Sequence, residues 1–188
     1  NNAEFIELLL SQPISRKLIW RNLFFGLSAS LMLAFFVGAG IPLLIFTPLA
    51  LACTMILTGM ILTMVFAALA FLSCSISRDK AKGIGITIVL WLFYSVLFDG
   101  LVLFLTFQFA DYPIEKMMIG VSLLNPVDTA RILILLQLDV SALMGYTGAV
   151  FREFFGTMGG IVISVCTMLM WVWLPYYISL RRFSKKDL

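Results

Sequence analysis

Side chains able to do chemistry are few in this sequence and fall in three places. The first is a lone acid, Asp99, in Leu97-Phe98-Asp99-Gly100-Leu101 within an apolar run. A carboxylate facing lipid at the bilayer centre costs roughly 2.5–3.5 kcal/mol or more. Asp99 therefore either faces the bundle as a pathway or gate residue, or sits near the outer interface, hydrogen-bonded to a neighbouring helix or capping a break at Gly100. The second place is Asn125-Pro126-Val127-Asp128 with Arg131. Asn caps a helix, Pro suits its first position, and an acid in the first turn complements the dipole. A helix from Pro126 to about Leu138 would be roughly 20 Å long. That is too short to cross a bilayer, so it is predicted to be re-entrant or interfacial. The third place is the first 21 residues, with Glu4 and Glu7, then Leu8-Leu9-Leu10, a break at Pro13, and Arg16, Lys17 and Arg21. Ahead of Pro13 there are barely three helical turns, which predicts an interfacial or solvent-side helix over 3–17.

Much chemistry is excluded by residue type. The sequence has no His, and its three cysteines, Cys53, Cys74 and Cys166, are far apart and form no C-x-x-C. Neither metal-ligand spacing nor His-based catalysis is available, and an intramembrane protease would need a second deep acid, His or Ser partner for Asp99. Ten methionines, including Met117, Met118 and Met144, offer thioethers to a soft metal, but filling gaps in an apolar bundle explains them equally well. No G-x-x-x-x-G-K-[ST] occurs, so the chain cannot hydrolyse ATP. If it moves a cargo, the energy arrives from another subunit. No bound cofactor or metal is expected on this chain.

The elements that position these residues follow from hydropathy. Of 188 residues, 62% are hydrophobic and 12% charged, with mean hydropathy +1.06, and residues 22–77 contain no Asp, Glu, Lys or Arg. These 56 uncharged residues exclude an ordinary soluble domain, since about 20 apolar residues span a bilayer. Apolar mass recurs down to Leu180, unlike a single cleavable leader. The reading is an all-α polytopic membrane protein, one domain over 1–188, with spans at 18–40, 49–73, 84–109 and 154–180. The first is predicted to end at the Gly38-to-Pro42 break. Residues 110–153 form an outer region with short helices, and 181–188 a basic tail. Ten of the 13 cations (Arg16, Lys17, Arg21, Arg78, Lys80, Lys82, Arg181, Arg182, Lys185, Lys186) then fall on one side, which the positive-inside rule makes cytoplasmic. Both ends of the chain are predicted to lie there. The positives flank spans, which argues for lipid contact and against nucleic acid. Two small-xxx-small pairs, Ala81 with Gly85 and Gly156 with Gly160, suggest close helix packing.

The run Glu7-Leu8-Leu9-Leu10-Ser11-Gln12-Pro13-Ile14-Ser15-Arg16, directly followed by a span, resembles the E-x-L-L-x-x-P-[IV]-S-R pattern of ABC-2 type transporter permeases. The order of a helical hairpin, a basic loop with Arg78, Asp79 and Lys80, a span, an outer region, a final span and a basic tail is also similar, over essentially the whole chain. The resemblance implies that the four spans are the last four of a six-span permease, without its first two spans and the amphipathic helix that precedes them. It implies a multi-pass protein of the cell inner membrane, working as a homodimer with an ABC ATPase subunit that holds ATP and Mg. Glu4, Glu7, Leu8, Leu9, Leu10, Pro13 and Arg16 would then be the coupling helix, with the Arg78-Asp79-Lys80 loop beside it. Trp91-Leu92-Phe93 with Val96-Leu97-Phe98-Asp99, and Leu123-Leu124-Asn125-Pro126-Val127-Asp128 with Arg131, further resemble permeases that serve nitrous oxide reductase maturation in denitrification. That resemblance implies a periplasmic maturation protein as partner and a sulfur species or copper for the copper-sulfide centre. Asp99, Asn125, Pro126, Asp128 and Arg131 would shape the outer gate or docking surface. Two alternatives stay open: an exporter of a lipid-like or peptide cargo, and a non-transport scaffold.

Overall fold

A computed structural model describes residues 15–77, 79–109, 115–138, 153 and 155–185. Every regular element among these residues is helical. Helix α1 (Arg16–Phe35) starts after Ser15, an extended residue whose carbonyl accepts the N–H groups of Leu18 (2.8 Å) and Ile19 (3.2 Å). A π-helical turn, Phe36–Gly40, joins α1 to α2 (Ile41–Phe46), so one apolar span runs over Lys17–Phe46. This corrects the expected end of the first span at Gly38 to Pro42. Within the π turn the Ile41 N–H reaches back to the Phe36 carbonyl, five residues away. Pro42 then occupies the first turn of α2, where its missing N–H and fixed φ are tolerated. The helix stops instead at Thr47, which turns extended ahead of Pro48.

Helix α3 (Leu49–Ile76) returns across the membrane, and α4 (Lys80–Leu92), a second π turn (Phe93–Leu97) and α5 (Phe98–Gln108) make the third span, Lys80–Gln108. The third span begins four residues before the expected Ile84, because Asp79 Oδ1 accepts the Ala81 N–H at 3.2 Å and starts the helix there. Two short helices follow, α6 (Glu115–Leu123) and α7 (Pro126–Gln137), bent 113° to each other. Helix α8 (Met158–Lys185) is the fourth span. It continues past the expected end at Leu180, and the helical spacing brings the Arg181 guanidinium 4.4 Å from the Tyr177 ring centroid.

The second span is central. A third of its most apolar window is buried, against 6% for the first and third spans. Its Ile61, Val65, Ala67, Ala68 and Leu69 form one core with Phe24 of α1, Ala130 and Leu133 of α7, and Met168 and Val172 of α8. Close approach of the first two spans occurs where the Phe35 ring lies over Gly59; a Cβ there would come within 2.3 Å of it. The expected small-residue pairs do not play that part. Gly85 faces open space, and Gly156 lies in the turn before α8, outside the helix that holds Gly160. Elsewhere the spans turn large apolar side chains outward, as hydrocarbon contact requires.

Candidate functional site

The short helices carry the polar residues into the bundle. At the bend between α6 and α7, Asn125 is fully buried and uses both ends of its amide. Its Oδ1 accepts the Val127 N–H at 2.9 Å, capping α7, and its Nδ2 donates to the Tyr94 carbonyl at 2.9 Å. Tyr94 belongs to the π turn of the third span, which frays the regular ladder of carbonyls at this level. Thr129, also fully buried, donates from Oγ1 to the carbonyls of Ser122 and Asn125, both at 3.0 Å, and so fixes the bend from inside. The elbow is therefore a satisfied polar structure inside an apolar bundle.

One turn further along α7 an ion cluster forms. The Arg131 Nη1 donates to Asp99 Oδ2 at 2.7 Å and lies 3.4 Å from Asp128 Oδ1. Asp99 lies 19 residues past Lys80, about 28 Å along the helix and so toward the end opposite the basic one. Exposure grades across the cluster, from 45% for the Arg131 side chain and 33% for Asp99 to 10% for Asp128. Two carboxylates face one guanidinium. Burial first, and then the Asp99 hydrogen bond and charge, push the Asp128 carboxyl up to about 6, with Arg131 pulling the other way. Sequence spacing placed Asp99 and Arg131 on separate elements; the structure brings Asp99, Asn125, Pro126, Asp128 and Arg131 to one joint between the third span and the α6–α7 hairpin.

Two clefts flank the hairpin. One, about 430 Å³, is lined by Cys53, Thr58, Leu133, Leu136, Phe155 and Val165 among others; the second, about 200 Å³, lies between Leu123 and Leu124 at the elbow and Thr167, Trp171 and Leu174 of α8. Neither was foreseen, since each needs the hairpin's placement against α3 and α8.

At the basic end, Trp20 Nε1 donates to Ser179 Oγ at 3.0 Å, and that hydroxyl donates to the Phe71 carbonyl at 3.0 Å, tying the first, fourth and second spans. Glu4, Glu7, Leu8, Leu9, Leu10 and Pro13, expected to form a coupling helix, lie outside the described residues, as does Arg78; Arg16 is the first residue of α1. Asp79 is a helix cap and Lys80, the first residue of α4, is exposed.

Among known families, residues 5–188 match the family described as ABC-2 family transporter protein. No curated protein matches the chain.

Proposed function

The chain belongs to the ABC-2 transporter family, as a membrane-embedded permease subunit served by an ABC ATPase, and on that premise we propose that it works in nitrous oxide reductase maturation. In this reading it supplies a sulfur species, or supports copper delivery, for the enzyme's copper-sulfide centre. It acts as a homodimer in the cell inner membrane with both ends cytoplasmic. ATP and Mg are held by the ATPase, and a periplasmic maturation protein receives the cargo. The coupling segment, Glu4 to Arg16, transmits the ATPase motion, with the Arg78-Asp79-Lys80 loop beside it.

The observation that carries the gate reading is the single guanidinium of Arg131 bridging Asp99 on a span and Asp128 on a non-spanning helix. In this reading, motion of the third span relative to the hairpin breaks that bridge or the Asn125–Tyr94 bond, and the gate works between a closed arrangement with the bridge made and an open one without it. A partly exposed ion pair contributes only about 0.2–1 kcal/mol, which suits a contact that is made and broken in each cycle. Deleting the gene and measuring copper-sulfide content of the reductase tests the cargo. The expected result is apo-reductase restored by the wild-type gene, less well by Arg131→Ala than by Arg131→Lys. Reductase with normal copper-sulfide content in the deletion strain overturns the maturation role. Mass spectrometry of stoichiometric partners, after gentle solubilisation of the tagged protein, tests the assembly.

The apolar cleft of about 200 Å³ beside the elbow favours a second reading, export of a lipid-like or peptide cargo. Full reductase maturation in the deletion strain, together with accumulation of such a compound, would select it. A phenotype unchanged by a catalytically dead ATPase would instead mark a membrane scaffold.

A further inference from the structure

A run of contacts along α8 leads from the basic end into the apolar part of the bundle. The Trp173 and Tyr177 rings stack 5.0 Å apart at 9°, and the Arg181 guanidinium lies 4.4 Å from the Tyr177 centroid. Spaced by four, these residues run along one side of the helix, parallel to its axis. The neighbouring Tyr176 is where α1 packs, 4.4 Å from the Phe24 ring and 6.1 Å from Phe25. On α1, Arg21 stands one turn before Phe25, and exposed Lys17 one turn before Arg21. Arg21 and Arg181 therefore stand toward the basic ends of the two helices that meet at Phe25 and Tyr176. Among the described residues, no carboxylate pairs with Lys17, Arg21 or Arg181; Asp79, the acid described at this end, caps α4.

We propose that this α1–α8 seam binds an anionic glycerophospholipid, its phosphate held by Arg21 and Arg181 and its acyl chains descending past Tyr177 and Trp173. Among the described residues this charge has no carboxylate partner, and the ladder points the ligand's long axis along the helix. Below the cations the seam presents Phe25 and Trp173, 53% and 63% exposed, to hydrocarbon. A ligand with an anionic head and a long apolar tail uses the whole feature, whereas a free anion or an acidic protein surface uses only its top. Arginine planes suit phosphate oxygens and aromatic faces together. Each such cation near an anionic leaflet is worth roughly fivefold in affinity.

The test is native mass spectrometry of the full-length protein in mild detergent, titrated with dioleoyl phosphatidylglycerol and, separately, dioleoyl phosphatidylcholine. Phosphatidylglycerol is expected to bind roughly tenfold more tightly, with the preference lost in Arg21→Gln/Arg181→Gln and kept within about twofold in Lys80→Gln/Lys82→Gln. Arg21→Lys/Arg181→Lys, which keeps the charge and guards against a folding defect, is expected to retain part of the preference. Equal binding of the two lipids by the wild-type protein would overturn the proposal. So would an equal loss in the Lys80/Lys82 variant, which would mean diffuse attraction. A glutamine double variant that keeps its lipid preference and loses the ATPase would assign the seam to that subunit instead.

Discussion

Asn125 shows how much one side chain settles at the residue scale. Asn125→Ala leaves the Val127 N–H and the Tyr94 carbonyl without their partner, and a buried polar group without a partner costs about 1–3 kcal/mol. The expected outcome is a lower thermal midpoint in detergent and faster amide exchange at Val127. Asn125→Asp keeps the cap but cannot donate to Tyr94, so an intermediate loss is expected. Asp128 gives a pH dependence. Its carboxyl binds a proton more tightly in the folded protein, near pH 6, than in the unfolded chain, so folding takes up a proton between pH 6 and 4 and stability falls as pH rises through 6. Thermal midpoints should climb as pH drops from about 6.5 to 4.5, and Asp128→Asn should flatten that slope. The Asn-Pro-x-Asp helix start was legible in the sequence, because capping is local chemistry. The partners were not: Tyr94 contributes a backbone carbonyl, which any residue type offers.

At the scale of elements, hydropathy located the four long helices, but proline and charge misled at their ends. Pro42 reads as a stop because a regular helix needs its N–H; a π turn four residues earlier changes the hydrogen-bond register and carries the helix on to Phe46. Arg181 and Arg182 read as a tail because they are charged, yet Arg181 stays helical against Tyr177. Packing between spans is equally hidden, since apolar residues occupy every face of such helices. Ser179 is the exception that joins three of them. Ser179→Ala removes its bonds to Trp20 and Phe71 without adding volume and leaves the half-buried indole N–H without a partner. A destabilisation of roughly 1–3 kcal/mol is expected, about 2–12 °C in thermal midpoint, and Trp20 fluorescence should shift as the basic ends of the first and fourth spans loosen.

For the whole molecule, a four-span arrangement predicts Ser15 and Ser184 on one side of the membrane with Asp79, and Thr47 on the other. Single cysteines at these four positions, in a background without Cys53, Cys74 and Cys166, should label with an impermeant maleimide in a three-to-one division between right-side-out and inverted vesicles. That architecture was legible because apolar length is an additive property of the sequence; the hairpin's seat against α3 was not, since it depends on contacts between distant segments. The central position of α3 has a further effect during synthesis. Its most extensive partner, α8, is made after every other described helix. Until residue 158 onward has left the ribosome, Val65, Ala68 and their neighbours have only α1, the third span and the short helices to cover them. The growing bundle is therefore incomplete until α8 emerges, and a nascent chain arrested before Met158 should be a preferred substrate for membrane quality-control proteolysis, with a half-life well below that of the chain that includes α8.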